Sequence, residues 1–204
     1  MINQKQNRII FLSVILFSAV LSPEVANAQT IKLSADQAHS NVGFSVPLGG
    51  GITRITGKYN DYDITINYVD SDMTKSSIEA NIKSASISTG VPGRDEHLCT
   101  PDFFDAAKFP SITFISDSIR KKENSFIVFG TFMLHGISKK IQLPFTITGK
   151  DPGEGAMGFS SRTTVNRRDY FIGKDTMKPP APGFVSDDII VEIDFIAKPP
   201  KSHK

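Results

Sequence analysis

The chain has 204 residues, with 23 Lys and Arg against 21 Asp and Glu, a formal charge of +2. Both signs are scattered, which excludes the basic stripe that a nucleic-acid surface requires. There are 15 Phe, 4 Tyr, no Trp and a single Cys, Cys99, so the apolar area comes without polar handles and no internal disulfide can form.

The first segment reads as an address. Lys5 and Arg8 give a positive start, Ile9 to Leu21 is almost wholly apolar, Pro23 breaks the run, and Ala26-Asn27-Ala28 supplies small residues at a cleavage site. This layout predicts a cleaved signal peptide at 1–28, cut before Gln29. The apolar run is about 13 residues, short of the roughly 20 that a bilayer span needs. No Cys stands at the cut, so a lipoprotein anchor is not expected.

From there on the apolar period is two. Val42, Phe44 and Val46 alternate with Asn41, Gly43 and Ser45. Ile64, Ile66 and Tyr68 alternate with polar neighbours, as do Ile78, Ala80 and Ile82. Phe126, Val128, Gly130, Phe132 and Leu134 form a further set, then Ile141, Leu143, Phe145 and Ile147, and last Ile189, Val191, Ile193 and Phe195. Each set is a strand with one buried and one wet face. His39 is read as preceding the first of them. Turn residues separate the strands, among them Gly49-Gly50-Gly51, Asn60-Asp61, Glu123-Asn124, His135-Gly136 and Asp151-Pro152-Gly153. Roughly eight or nine short strands without a long amphipathic helix predict an all-β antiparallel sandwich or barrel. Periodicity does not separate the two. Closure is favoured because it leaves no free edge, and about eight strands enclose room for one elongated apolar ligand.

Two long connections interrupt the meander, and long loops are disproportionately functional. Residues 88–110 carry Arg94, Asp95 and His97, then the segment Asp102–Ala107, then Pro110 leading a strand to Ser116. Asp102–Ala107 suits a short helical turn that persists only if packed, with Phe103 and Phe104, beside Phe109, plugging a barrel end. Arg94 and Asp95 either make charge-assisted bonds to loop backbone or, with His97, hold a head group or act as an acid–base set. Residues 166–186 carry Asn166-Arg167-Arg168-Asp169 and the Pro-rich Lys178–Gly183. Adjacent arginines on a strand point to opposite faces, so one can meet a phosphate at a cavity mouth while the other is solvated or pairs with Asp169. No serine sits in a nucleophile elbow. His39, His97 and His135 are far apart, with no HExxH pair, and no metal site is expected. Cys99 is either an inert thiol or an intermolecular bridge.

Arg94-Asp95-x-His97-Leu98, then Asp102-Phe103-Phe104-Asp105, then Lys108-Phe109-Pro110-x-Ile112-x-Phe114 resemble the YceI family of secreted bacterial proteins. Asp36-x-x-His39-Ser40-x-Val42-x-Phe44-x-Val46, Gly130 to Lys139, and Asn166 to Tyr170 agree with it. The resemblance covers nearly all of the chain after residue 29. Cys99 and the Pro-rich segment depart from the family's pattern.

The resemblance implies an extended, eight-stranded, lipocalin-like barrel with a short helical insertion over residues 29–197, followed by a disordered tail at 198–204. It also implies a periplasmic, non-enzymatic carrier whose ligand is an isoprenoid lipid, either a polyprenyl phosphate or a prenylated quinone, with no other cofactor. The cavity lining expected is Val42, Phe44, Phe103, Phe104, Phe114, Phe132 and Phe159, with Arg94, His97 and Arg167 at the head group. The alternatives are an enzyme acting at the Arg94–His97 and Arg167–Asp169 mouth, and a non-specific, stress-linked lipid scavenger. Nucleic acid is not an expected partner; transient membrane contact is, and a symmetric homodimer is the default assembly.

Overall fold

The computed structural model describes residues 29–177 and 183–200. The expected signal peptide, the Pro-rich residues 178–182 and the tail residues 201–204 lie outside them.

Among the described residues eleven strand segments form a single sheet, and every pairing is antiparallel. They are β1 (Thr30–Ala35), β2 (Asn41–Leu48), β3 (Thr53–Tyr59), β4 (Tyr62–Val69), β5 (Ser77–Lys83), β6 (Ile87–Ser88), β7 (Ser111–Lys122), β8 (Ser125–Leu134), β9 (Ile137–Lys150), β10 (Met157–Asn166) and β11 (Asp188–Lys198). The first six are three bent strands. β1 and β2 continue each other across a 3₁₀ turn at Gln37–His39 and pair with β4 and β3 respectively. β5 and β6 continue each other across Ser84–Ser86 and pair with the same two segments. Eleven segments thus make eight strands in an up-and-down meander, and β11 returns to both halves of the first strand. The result is a closed eight-stranded antiparallel barrel.

Asp36 holds the bend that permits closure. Its carboxylate accepts from Ala38 N at 3.1 Å and meets His39 Nδ1 at 3.0 Å and Lys198 Nζ at 2.9 Å. Its backbone N–H donates to Ile196 O at 2.8 Å, and Ile196 N donates to Ser40 Oγ at 3.2 Å, so the kink stays bonded to β11. Bonds from Lys198 and then His39 hold the Asp36 carboxyl down at about 2. Two sequence readings are corrected here. His39 lies between the first two segments rather than before the first strand. Lys198, assigned to the tail, is the last residue of β11, in register with Ser34. The alternation did not flag β1 or β3: β1 is short, and β3, with sequence TRITGKY, has Ile55 as its lone aliphatic residue.

The helical insertion also differs from expectation. The helix is α1 (Pro92–Leu98), with Pro92 in the first turn, where its missing N–H is harmless. Asp102–Ala107 is instead a run of turns, interrupted by Asp105 in the left-handed region at φ 45°. Those turns are tied back to the helix end by Phe104 N to Leu98 O at 3.0 Å and Ala106 N to Cys99 O at 3.0 Å.

One end of the barrel is filled. Phe159 stacks between Phe145 and Phe195, at 5.3 and 5.1 Å between centroids. Leu33, Ile66, Met157 and Ala197 are buried as well. β9 and β10 pair from Met157–Lys150 only to Ser160–Thr146, with a register shift between Gly158 and Phe159. Pro144 lies just beyond; it sits opposite Ile127 of β8 and has no N–H to offer β10. The β9–β10 ladder therefore ends where the filled half of the barrel ends.

The β7–β8 pairing depends on a missing side chain. A Cβ on Gly130 would lie 2.5 Å from both Ile115 O and the Phe114 ring. Gly130→Ala is expected to cost about 1–3 kcal/mol by overpacking. Gly149→Ala, where nothing lies within 4 Å, serves as the control. Urea midpoints of the two variants check this, and equal midpoints would refute the close-packing account.

Candidate functional site

The other half of the barrel is open inside. A cavity of about 180 Å³ lies under the two long connections. The walls are Val42, Phe44, Ile82, Ile112, Phe132, Val165, Val191 and Ile193; Leu98, Phe103 and Phe104 from the first connection and Arg167, Ile172 and Val185 from the second roof it. A second chamber of about 90 Å³ lies deeper, lined among others by Ile64, Ile78, Phe114, Val128, Phe145 and Phe195. The chambers share Ile82, Phe132, Val165, Val191 and Ile193, so they abut at these five residues. An apolar void of about 150 Å³ stays dry and accepts a benzene-sized guest, which places the upper chamber in the range that takes hydrocarbon.

Of the expected lining residues, Val42, Phe44, Phe103 and Phe104 face the upper chamber, Phe114 the lower, and Phe132 both. Phe159 lines neither and belongs to the aromatic stack at the filled end. Sequence reasoning missed Tyr59, whose ring lies 6.0 Å from Phe44 and 6.4 Å from Phe104. Burial, with Cys99 adding, pushes the Tyr59 phenol well above its usual range. It also missed Leu98, Ile172 and Val185, which belong to connections and carry no periodic signal.

The head-group candidates are placed as follows. Arg94 donates from Nε to Thr89 Oγ1 at 2.7 Å and from a terminal nitrogen to Thr89 O at 3.1 Å. Asp95 accepts from Thr89 N at 2.8 Å. Together they hold the start of the first connection shut, and Arg94 does not line the cavity. His97 is exposed, its ring 5.0 Å from Phe103 and its Nε2 3.6 Å from Asp102. Arg167 borders the upper chamber, yet all its donors are used. They reach Ser186 O at 3.0 Å, Ile172 O at 3.0 Å, both Asp175 oxygens and Asp187 Oδ1 at 2.9 Å. Arg167 and Arg168 sit in a 3₁₀ turn at Arg167–Tyr170, not on a strand. Arg168 pairs with Asp187 at 2.6 Å, and Asp169 goes instead to Lys139 at 2.7 Å.

The remaining titratable groups have local partners. His39 serves the Asp36 bend, and His135 Nδ1 lies 2.9 Å from Tyr170 O with its ring 4.5 Å from Phe109. Among the described residues no cluster of His, Cys, Asp or Glu could hold a metal ion. Cys99 ends α1, and burial, with Asp95 nearby, raises its thiol pKa, so it is not a reactive thiolate at neutral pH.

The two connections are joined over the mouth. Lys174 Nζ lies 2.5 Å from Asp102 Oδ1. Gly173, at φ 96°, brings the second connection close: a Cβ there would lie 2.9 Å from the Arg167 guanidinium and 3.5 Å from Phe103. The bond from Lys174 holds the Asp102 carboxyl below its usual range, and the bond from Arg167 does the same for Asp175. A depressed carboxyl stabilises the fold above its unfolded pKa of about 4, and that contribution is lost as pH falls through the lower folded value. The roof is therefore expected to loosen below about pH 4. Amide exchange of Phe103 and Phe104 should accelerate as pH falls below about 4, relative to strand β8 after correction for intrinsic rates. Asp102→Asn and Asp175→Asn should flatten that dependence, and an unchanged pH profile in the double variant would refute the assignment.

The comparisons agree with this architecture. The family model for the YceI-like domain matches residues 33–197. A UPF0312 protein of Shewanella sp. (strain ANA-3) is 30% identical over 185 residues, covering 89% of this chain and 95% of that protein. Among solved structures, a Campylobacter jejuni YCEI protein superimposes with a TM-score of 0.64 at 28% identity, covering 74% of this chain and 88% of that one. A polyisoprenoid binding domain from Saccharophagus degradans has the same fold, with a TM-score of 0.62 at 15% identity over 84% of this chain and 100% of that one. With the closed barrel and this match over most of its length, the chain belongs to the YceI-like family.

Proposed function

We propose that the protein is a non-enzymatic carrier that holds a long isoprenoid chain in the barrel and works outside the cytoplasm after loss of residues 1–28. The two abutting apolar chambers carry this reading. An unfilled void of about 180 Å³ forgoes about 4 kcal/mol of stability at roughly 24 cal/mol per Å³. A guest that fills it recovers that energy, and each buried methylene contributes about 0.8 kcal/mol. The description of the Saccharophagus degradans domain as polyisoprenoid binding supports the same ligand class. The enzyme reading finds less support: Arg94, Arg167 and Asp169 are engaged by the protein's own groups.

The mouth also fits a bilayer. Of the six large apolar residues exposed among the described residues, Ile52, Val91, Phe171, Phe184 and Val185 belong to connections at the open end, and Ile115 lies elsewhere. Ile52 and Phe184 form one tip: Gly49 N donates to Phe184 O at 2.7 Å and Val185 bridges Leu48. We infer that these lips enter the membrane surface, so that a chain can leave the cavity without crossing water.

Native mass spectrometry of the protein purified from its exporting host should find a stoichiometric prenyl compound. Val165→Phe with Ile193→Phe, which crowds two residues that line both chambers, should abolish it while the fold persists. A bare wild-type protein that also refuses added prenyl lipids would refute the carrier reading. Ile52→Asp with Phe184→Asp should reduce co-flotation with phosphatidylethanolamine–phosphatidylglycerol vesicles by about tenfold or more, because two large apolar side chains lose their burial. Undiminished co-flotation would refute the docking surface.

A further inference from the structure

The barrel wall is not laddered along the whole of every seam. β9 and β10 pair from Met157–Lys150 to Ser160–Thr146 and no further, although β9 begins at Ile137 and β10 continues to Asn166. Each strand stays paired on its other side, β9 with β8 and β10 with β11. The unladdered seam takes in Ser161–Asn166 of β10, about 20 Å at the rise of a strand. Inside, it borders both chambers: Val165 lines the two of them, and Ile141, Leu143 and Thr163 line the lower.

Outside, the charged side chains on either bank pair away from the seam. Lys140 of β9 reaches back to Asp117 Oδ2 and Thr131 Oγ1, each at 2.7 Å, and Arg162 of β10 pairs with Glu192 of β11. Among the described residues no ion pair or side-chain hydrogen bond joins residues 137–144 to residues 161–166. The ladder closes the seam at its lower end, and a clasp closes it at its upper end. There Lys139 Nζ meets Asp169 Oδ1 at 2.7 Å, and His135 Nδ1 lies 2.9 Å from Tyr170 O. The side chains of Lys139 and Asp169 are 39% and 55% exposed, and a solvated pair of this kind holds weakly. Phe171 follows at once, exposed and in the left-handed region at φ 52°. The clasp therefore stands beside one of the apolar lips of the mouth.

The bonds that must break favour this seam over the roof as a way out. To lift the second connection, buried Arg167 would have to give up Ser186 O, Ile172 O and two carboxylates, which leaves a buried charge uncompensated. To part β9 from β10 above Thr146, the exposed clasp opens and apolar side chains separate, but no ladder pair is lost. We propose that the β9–β10 seam is a lateral gate for the apolar chain of the ligand, with the Lys139–Asp169 pair as its clasp. This rests on the carrier reading and adds the route to it. The chain slides out sideways into the bilayer beside Phe171, while Arg167 keeps the roof in place. Pro144, with no N–H to offer β10, stops the ladder from extending and sealing the gate.

The test follows transfer of all-trans-retinol, a fluorescent isoprenoid alcohol, from the loaded protein to phosphatidylethanolamine–phosphatidylglycerol vesicles that carry an energy-acceptor lipid. Gln142 and Thr164 are exposed and face each other if the Ser160–Thr146 register continues one residue for one. In a Cys99→Ala background, Gln142→Cys with Thr164→Cys is bridged by a reducible bis-thiosulfonate. The bridge should slow transfer about tenfold or more, and reduction should restore it. The same bridge between Thr65→Cys and Glu79→Cys, across the intact β4–β5 ladder, should leave the rate unchanged. Asp169→Asn, which needs no bridge, should speed transfer about two- to fivefold, the strength of one exposed ion pair, without changing equilibrium affinity. Unchanged transfer in the bridged seam, equal slowing by the β4–β5 bridge, or no acceleration in Asp169→Asn would each overturn the gate and leave the carrier reading standing. A wild-type protein that binds neither retinol nor geranylgeraniol would overturn both.

Discussion

The barrel exists because β11 pairs with both halves of a bent first strand. A straight strand of that length would follow the sheet's twist away from its last neighbour. The bend at Asp36 redirects it, and the Asp36 carboxylate, tied to Ala38, His39 and Lys198, fixes the angle. Closure then removes the free edges that a sheet of this size would otherwise expose. Every inward-facing side chain is thereby committed to a common interior, and the function of the molecule depends on how that interior is filled.

It is filled unevenly. Stacked phenylalanines occupy one end, and the other end carries two apolar chambers. The boundary coincides with the end of the β9–β10 ladder, next to Pro144, which cannot donate toward β10. Local backbone chemistry and cavity geometry meet at one position: past Ser160 the β9–β10 seam has no ladder, while β10 stays paired with β11 to Asn166. A protein selected for stability alone would fill such a space, because an empty apolar void lowers stability in proportion to its volume.

The roof is built on a different principle. Its charges answer one another: Arg167 with Asp175 and Asp187, Lys174 with Asp102, Lys139 with Asp169. The exposed pairs contribute little each, of order 0–1 kcal/mol. Buried Arg167 is different, since its guanidinium holds the second connection by backbone carbonyls as well as carboxylates. Among these matched charges, Ile52, Phe171 and Phe184 stand exposed as large apolar side chains at the mouth.

By itself the sequence determined the fold class. Two-residue alternation in β2, β4, β5, β8, β9 and β11 is legible because side chains on a strand alternate faces, and the ordered motifs from Asp36 to Tyr170 carried the family. Phe44, Phe103, Phe104, Phe114 and Phe132 could be named as lining because large apolar residues on inward positions must bound any interior space. What only the tertiary structure decided was the partner of each residue. Phe159 and Phe132 alternate alike, yet one fills a stack and the other walls a chamber, because a barrel's interior is packed end by end and not strand by strand. Arg167 reads as a phosphate ligand until Asp175 and Asp187 are brought to it from 8 and 20 residues away. Periodicity reports which face a side chain takes; long-range packing alone reports what it meets there.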